Sequence, residues 1–136
     1  MKFFFKVYIL LFCFQVSAQV DKKFDEGLMK FLDKDFVNAK EIFTEVIKLD
    51  PKNYESYYYV GVCNIKLSLF TESIINFDDV IKLNPKYAKA YYNRGVAKFY
   101  LTMNESGCSD FRKAVEVQPG YDDAIKAIMQ FCKEYK

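Results

Sequence analysis

The sequence contains no histidine, and this absence removes the most common general base of enzymes and the most common metal ligand. It also contains no glycine-rich loop of the kind that holds phosphate groups. Neighbouring acids such as Asp78 and Asp79 point in different directions on a helix, which is typical of a solvated surface rather than a catalytic pair. We therefore predict a protein that is not an enzyme and that needs no metal and no cofactor.

An excess of charge of one sign is also missing once the first segment is set aside. Residues 1–18 contain Lys2 and Lys6 and no acid, so removing them leaves 18 of the 20 basic residues against 18 acidic ones. Nucleic-acid binding normally depends on a basic excess that displaces counterions. We therefore expect protein or peptide partners and no nucleic acid.

The first 18 residues have the composition of a secretory signal. Lys2 and Lys6 precede an apolar run, and the small residues Ser17 and Ala18 end it. The segment 7–18 has 12 residues, whereas a membrane-spanning helix needs about 20. We expect a signal peptide, residues 1–18, cleaved after Ala18, and a periplasmic or secreted mature protein without a stable membrane span. A retained membrane anchor is the alternative.

The strongest feature that is present is a repeat with a period of 34 residues, as in IKLDPKNYESYYYVG at 47–61 and IKLNPKYAKAYYNRG at 81–95. This period predicts one structural unit copied along the chain. The residues that superpose are Gly27, Gly61 and Gly95; Ala39, Ser73 and Gly107; Phe43, Phe77 and Phe111; Val46, Val80 and Ala114; and Pro51, Pro85 and Pro119.

Each unit contains two stretches with helical spacing. Apolar residues recur at intervals of four and three in the first stretch, and the second stretch repeats this spacing. The prolines end the second helix, because the residue before a proline avoids the helical conformation. Folding a unit back at its internal turn brings small residues opposite each other, so we expect close helix contacts. These pairs are Gly27 with Ala39, Gly61 with Ser73, and Gly95 with Gly107.

The glycine, small residue, aromatic and proline at these positions resemble the tetratricopeptide repeat family. The third unit, with YYNRGVAKFYL and SDFRKAVEVQP, is most similar to it. The resemblance implies an all-α fold, a right-handed α-solenoid of three helix-turn-helix repeats plus a C-terminal capping helix. The predicted boundaries are 20–53 for repeat 1, 54–87 for repeat 2, 88–121 for repeat 3 and 122–136 for the cap.

The resemblance also implies that the first helices line a concave groove, and it places an apolar stripe there. The most favoured function is a non-catalytic interaction module that binds a peptide or helix of a partner protein in this groove, as an adaptor or scaffold in the cell envelope. The stripe consists of Phe24, Leu28, Phe31, Tyr58, Val62, Ile65, Tyr92, Val96 and Phe99. Lys66, Lys89 and Tyr100 flank it.

Of two other functions, a chaperone-tail adaptor is disfavoured and a structural subunit stays open. Family members that bind chaperone tails carry a set of lysine, asparagine and arginine residues in the groove. Of the matching positions here, only Lys89 agrees, so such an adaptor is disfavoured. The matching positions are Phe24, Leu28, Tyr59, Lys89 and Asn93. The alternative function is a structural subunit of a homodimer or hetero-oligomer, whose groove is permanently filled.

Two pairs of residues are candidates for bracing the last unit. Cys108 and Cys132 lie at similar distances from the turn at Gly120, so a disulfide is predicted as a candidate in an oxidising compartment. Arg94 and Asp110 are level with each other across the internal turn of the third unit, and an ion pair is expected there. No cysteine has the paired spacing of a zinc site.

Overall fold

The protein is described by a computed structural model that covers residues 2–133, with side chains from residue 15 onward. The regular structure of this part consists of α-helices, and no strand occurs among these residues. In chain order the helices are α1 Lys2–Leu32, α2 Phe36–Leu49, α3 Tyr54–Lys66, α4 Phe70–Leu83, α5 Ala88–Tyr100, α6 Asn104–Val117 and α7 Asp122–Phe131. The predicted all-helical solenoid of helix pairs with a final helix is confirmed.

Each helix packs on the next one in the chain, from α1 on α2 to α6 on α7. In addition, α3 contacts α5, so the first helices of neighbouring units touch each other. The buried residues form several clusters that follow one another along the stack rather than a single centre. This arrangement is typical of repeat proteins, in which each unit buries its apolar face against its neighbours.

The turn inside each unit has the same backbone conformation. Lys34, Ser68 and Thr102 have φ angles of 62°, 60° and 61°, in the left-handed region. In the first unit the Asp35 amide then donates to the Lys30 carbonyl at 2.9 Å, which satisfies a carbonyl at the end of α1. These turns reverse the chain in three residues, so the two helices of a unit lie side by side.

The glycines of the first helices make room for phenylalanine rings. A Cβ on Gly27 would lie 2.8 Å from the ring of Phe43, and a Cβ on Gly61 would lie 2.8 Å from the ring of Phe77. A buried ring therefore fills the space that each of these two glycines leaves, which the pairing of Gly27 with Ala39 and of Gly61 with Ser73 did not predict. In the third unit a Cβ on Gly95 would likewise lie 2.7 Å from the ring of Phe111, but it would also lie 3.0 Å from the backbone oxygen of Gly107, so here the two small residues meet as well.

Charged side chains brace the third unit from within. The Arg94 Nε donates to the Oδ2 of Asp110 at 2.9 Å, and a terminal guanidinium nitrogen donates to Oδ1 at 2.6 Å. Arg94 also donates to Asp78 at 2.6 Å, and Lys98 lies 2.8 Å from Asp110. The expected Arg94–Asp110 pair is thus part of a network that joins α4, α5 and α6.

Helix α1 passes through the predicted cleavage point at Ala18 without a break. Met1 lies outside the described residues, and of residues 2–14 only the backbone is described, so most of the predicted signal lies outside the described side chains. The last residues of the predicted cap, 134–136, also lie outside the described part. Among the residues described, no helix has the length and apolar composition needed to cross a membrane.

Candidate functional site

The stripe residues of the first helices lie between the core and the solvent. Each of the nine is half-buried, and each packs against buried residues of its own unit or the next. In the first unit, for example, Phe24 meets Phe43 edge to face with ring centroids 5.4 Å apart. The stripe is therefore both the outer layer of the core and a partly exposed apolar face.

Tyr58 links the stripes of the second and third units. Its hydroxyl accepts a hydrogen bond from the Asn93 side-chain amide at 3.3 Å, across the contact between α3 and α5. Its ring meets that of Tyr87 with centroids 5.2 Å apart. Burial raises the pKa of the Tyr58 hydroxyl, and a weaker opposing effect comes from Asn93. The phenol therefore stays protonated at neutral pH and can donate a hydrogen bond.

The third unit contains a hollow of about 370 Å³ against α7, which we call the aromatic hollow. Its lining consists of Tyr92, Val96, Phe99, Tyr100, Phe111 and Phe131. The structure thus brings together in one concave site four residues that the sequence placed along the groove. The remaining stripe residues, on α1 and α3, do not take part in it.

Two members of the aromatic hollow were missed by the sequence reasoning. Phe111 was assigned to the repeat core, and Phe131 was not assigned at all. Phe131 is 48% exposed, and its ring centroid lies 5.5 Å from that of Phe99. Its position next to Cys132 was the signal that could have revealed it, because a bond from Cys132 to α6 brings the end of α7 toward the third unit.

The structure joins Cys108 near the start of α6 to Cys132 at the end of α7. Their sulfurs are bonded, and the Cα atoms lie 5.6 Å apart. Cys108 and Cys132 both belong to a buried cluster with Phe111, and Phe99 packs against that cluster. The covalent link therefore lies directly behind the wall of the aromatic hollow.

The flanking residues differ in their surroundings. Lys66 and Lys89 are exposed, and neither forms an ion pair with another described residue. Tyr100 is 63% exposed, and its ring stacks on Phe70 of α4 at a centroid distance of 4.4 Å. Tyr100 is thereby held in one orientation at the rim of the hollow while its other face stays accessible.

Other concave regions lie at the two ends of the solenoid. One, of about 440 Å³, is lined by residues of α1 and the end of α2, and another, of about 500 Å³, lies beside Met129 and Lys133. Neither touches the stripe. Within the described part of the chain, no group of three cysteine or acidic side chains could hold a metal ion.

The fold and this face define an α-solenoid built from helix pairs. Residues 88–121 match the family model described as tetratricopeptide repeat. The match covers α5, α6 and the turn after them, and the structural comparisons below concern the fold. A comparison of the sequence with curated proteins gives no match.

Several solved tetratricopeptide repeat structures share the fold. The Arabidopsis OM64 TPR domain is 24% identical, with a TM-score of 0.82 over 86% of this chain and 97% of that one. The second TPR domain of human RPAP3, in complex with HSP70 peptide SGPTIEEVD, is 23% identical, with a TM-score of 0.82 over 88% and 99%. The first TPR of Spaghetti (RPAP3), bound to HSP90 peptide SRMEEVD, is 22% identical, with a TM-score of 0.82 over 85% and 92%.

Proposed function

We propose that this protein is a non-catalytic module that binds a peptide or helix segment of a partner protein along the face of its first helices. The observation that carries the proposal is the half-exposed apolar stripe, which repeats from unit to unit and opens into the aromatic hollow. Similar folds are seen with peptides bound, as the two RPAP3 complexes show for those proteins. The tyrosine hydroxyls and the lysines at its edges would orient the bound segment.

A chaperone peptide is not proposed as the partner of this chain. One of the positions where chaperone-tail binders carry asparagine holds Tyr59 here. The ring of Tyr59 stacks on Phe43 at a centroid distance of 4.9 Å, so it serves the core. We therefore propose a partner that is held by apolar and aromatic contacts.

The test replaces Tyr58 and Tyr92 together by alanine. Partner capture from the native cell, followed by mass spectrometry, should decrease strongly, while helicity by circular dichroism stays the same. The control replaces Ile75 and Met103 together by alanine. These residues are 57% and 47% exposed and lie off the stripe. Equal capture by the two double variants would refute the groove.

The location of the protein is proposed to be the cell envelope or the exterior. The apolar first segment supports this proposal, and so does the disulfide, because such bonds persist in oxidising compartments. The mature chain would then begin at Gln19 and keep Val20, which is 7% exposed. If mass spectrometry of the protein from its native cell finds residues 1–18 still attached, cleavage after Ala18 is contradicted, and recovery of the protein in the cytoplasmic fraction would contradict the proposed location.

A second candidate is a subunit whose groove is filled by another copy or another chain. The exposed apolar side chains of α7 favour it, since Met129 is 65% and Phe131 48% exposed. Light scattering on the purified protein separates the two functions. A stable dimer in which the stripe is protected would support the structural role, and a monomer would support the binding module.

A further inference from the structure

We propose that the aromatic hollow binds one aromatic side chain from an acidic segment of a partner protein, and that the Cys108–Cys132 disulfide holds Phe131 in its wall. This inference rests on the binding function proposed above. It adds the chemistry of the anchoring residue and a redox condition for the site.

The lining of the hollow suits an aromatic ring. Five of the six lining residues are aromatic, and Phe99 is stacked on Phe111 with centroids 5.4 Å apart. Phe131 is tilted by 48° against Phe99, so the wall presents both ring faces and ring edges. Aromatic pairs prefer offset-stacked or edge-to-face contacts, and an inserted ring can make both here.

The size of the hollow favours a single side chain. Its volume of about 370 Å³ is near the lower end of the range for ligand pockets, about 300–1,000 Å³. The rest of the bound segment would then lie along the exposed stripe rather than inside the hollow. At many interfaces one side chain buried in a pocket supplies much of the binding energy, and the contacts around it contribute little.

Charge along the stripe favours an acidic segment around the anchor. Helix α5 carries Lys89, Arg94 and Lys98 and no acid. Arg94 and Lys98 are neutralised by Asp78 and Asp110, whereas Lys89 is exposed to solvent and unpaired in the described part of the chain. Lys66 occupies in the second unit the position that Tyr100 has in the third, and it is also exposed and unpaired among the described residues.

Burial, and to a smaller extent Asp123 of α7, raises the pKa of the Tyr92 phenol, so one acid lies near that part of the hollow, but both carboxylates of α7 are at the end of the helix opposite to Phe131. Asp122 and Asp123 begin this helix and Phe131 ends it. Ten residues of helix span about 15 Å, because the rise is about 1.5 Å per residue. Lys133 follows directly after the disulfide and is exposed, so a cation is the charged group nearest to Phe131 in the chain.

The disulfide is needed because α7 is a weak helix by itself. It has 10 residues and no side-chain hydrogen bond at its N-cap, Tyr121. Isolated helices shorter than about 12–15 residues are marginal in water. Phe131 directly precedes Cys132, so the bond to Cys108 fixes the backbone next to the ring. Without it, the last turn of α7 can fray and the hollow loses one wall.

Reduction would open the site by thiol–disulfide exchange. A dithiol such as dithiothreitol attacks the bond through its thiolate and leaves as a cyclic disulfide. Cys108 and Cys132 then take up two electrons and two protons as free thiols. The reaction breaks one sulfur–sulfur bond and forms another, so no further oxidant or reductant is involved.

The absence of tryptophan from the protein provides a direct measurement. The probe is the peptide Ac-Glu-Glu-Trp-Glu-Glu-amide, whose emission moves to shorter wavelength when the indole enters an apolar site. We expect a saturable shift with the oxidised protein and displacement by the peptide with phenylalanine at the centre. Displacement by the alanine peptide, or no shift at all, would overturn the proposal.

Three variants test the wall and the charge. Phe131→Ala should weaken binding about tenfold, equivalent to the loss of one good aromatic contact. The matched control is Met129→Ala on the same helix, which is 65% exposed and outside the lining, and it should bind within about twofold of the unchanged protein. A lysine-flanked tryptophan peptide should bind at least about tenfold more weakly than the acidic one. Equal affinities of Phe131→Ala and Met129→Ala would overturn the role of Phe131. Equal affinities of the acidic and the lysine-flanked peptides would overturn the preference for an acidic segment.

The redox condition is tested with the double variant Cys108→Ser and Cys132→Ser and with dithiothreitol. Both should weaken peptide binding to the level of Phe131→Ala, and the remaining helices should keep their far-ultraviolet signal. Unchanged affinity in either case would overturn the role of the disulfide. Failure of the proposed binding function would be seen in the capture experiment instead. There, the Tyr58 and Tyr92 double variant would capture as much native partner as its control, independently of the result with the peptide.

Discussion

At the scale of single residues, one phenylalanine in each unit decides how closely its two helices approach. Phe43 and Phe77 are completely buried, and Phe111 is 2% exposed. Each ring lies against a glycine of the preceding helix, at a distance where a Cβ atom does not fit. The glycines are therefore needed for packing, although glycine normally weakens a helix.

Replacing Gly61 by alanine should destabilise the protein by about 1–3 kcal/mol, the usual cost of overpacking a core. The added Cβ would lie 2.8 Å from a ring carbon of Phe77, which has no free space to move into. Urea denaturation followed by circular dichroism measures the effect.

The control is the same change in a Phe77→Leu background. A smaller side chain removes the collision, so the two substitutions should couple favourably in a double-mutant cycle. If Gly61→Ala costs as much in both backgrounds, the ring contact is not the cause.

Cys63 should be unreactive in the folded protein. It is completely buried in the core of the first two units, and burial raises the pKa of its thiol to about 12. Because only the thiolate reacts, an alkylating reagent at neutral pH should label Cys63 after unfolding and not before. The measurement uses the Cys13→Ser variant, so that the label reports on Cys63 while Cys108 and Cys132 remain bonded. Rapid labelling of the folded protein would contradict this expectation.

At the scale of the helices, the turn inside each unit holds a residue in the left-handed conformation, and none of the three is glycine. Thr102 is the least suited of them, because a β-branched side chain is strained at positive φ. The repeat keeps the turn geometry even where the residue is unfavourable. This strain is therefore a local cost of reversing the chain in three residues.

Thr102→Gly should stabilise the protein by about 0.5–1 kcal/mol, because relief of the left-handed strain outweighs the extra backbone entropy of glycine. Thermal unfolding followed by circular dichroism should show a higher midpoint. The matched control is Thr44→Gly in the exposed middle of α2, which should lower stability by about 0.3 kcal/mol, the difference between threonine and glycine in helix propensity. A loss of stability in both variants would argue against strain at Thr102.

At the scale of the whole molecule, tyrosines at the contacts between units make stability depend on alkaline pH. Burial raises the pKa of Tyr121 from 10.0 to about 12, with smaller contributions from Tyr58, Asp123 and Tyr92. The same cause raises the pKa values of Tyr58 and Tyr87. In the folded state these phenols hold their protons more strongly than in the unfolded chain.

The free energy of unfolding should therefore be constant with respect to these groups below about pH 10 and should fall as the pH rises toward 12. In this window the unfolded chain has lost protons that the folded one retains. Comparison with Tyr121→Phe separates this effect from the lysines, because that variant should show a shallower decline in urea denaturation across the window. Identical slopes would mean that Tyr121 titrates normally when folded.

Much of the fold was predictable from local patterns. The step of 34 residues, the helical spacing and the prolines are each visible in a short window of sequence, so the helix pairs and the final helix followed from them. The stripe was predictable for the same reason, since Tyr92, Val96 and Phe99 recur at helical intervals. What such windows do not contain is the distance between residues of different helices.

The chain by itself therefore determined the helices, their order and the apolar face that the first helices share, because these depend on spacing along one helix and on a repeated turn. Only the tertiary structure decided that Phe43 and Phe77 fill the space beside the glycines, and that Phe131 meets Phe99 to form the aromatic hollow. Those contacts join residues that lie at least 16 positions apart. They depend on how closely two helices approach, and that distance is set by packing in three dimensions.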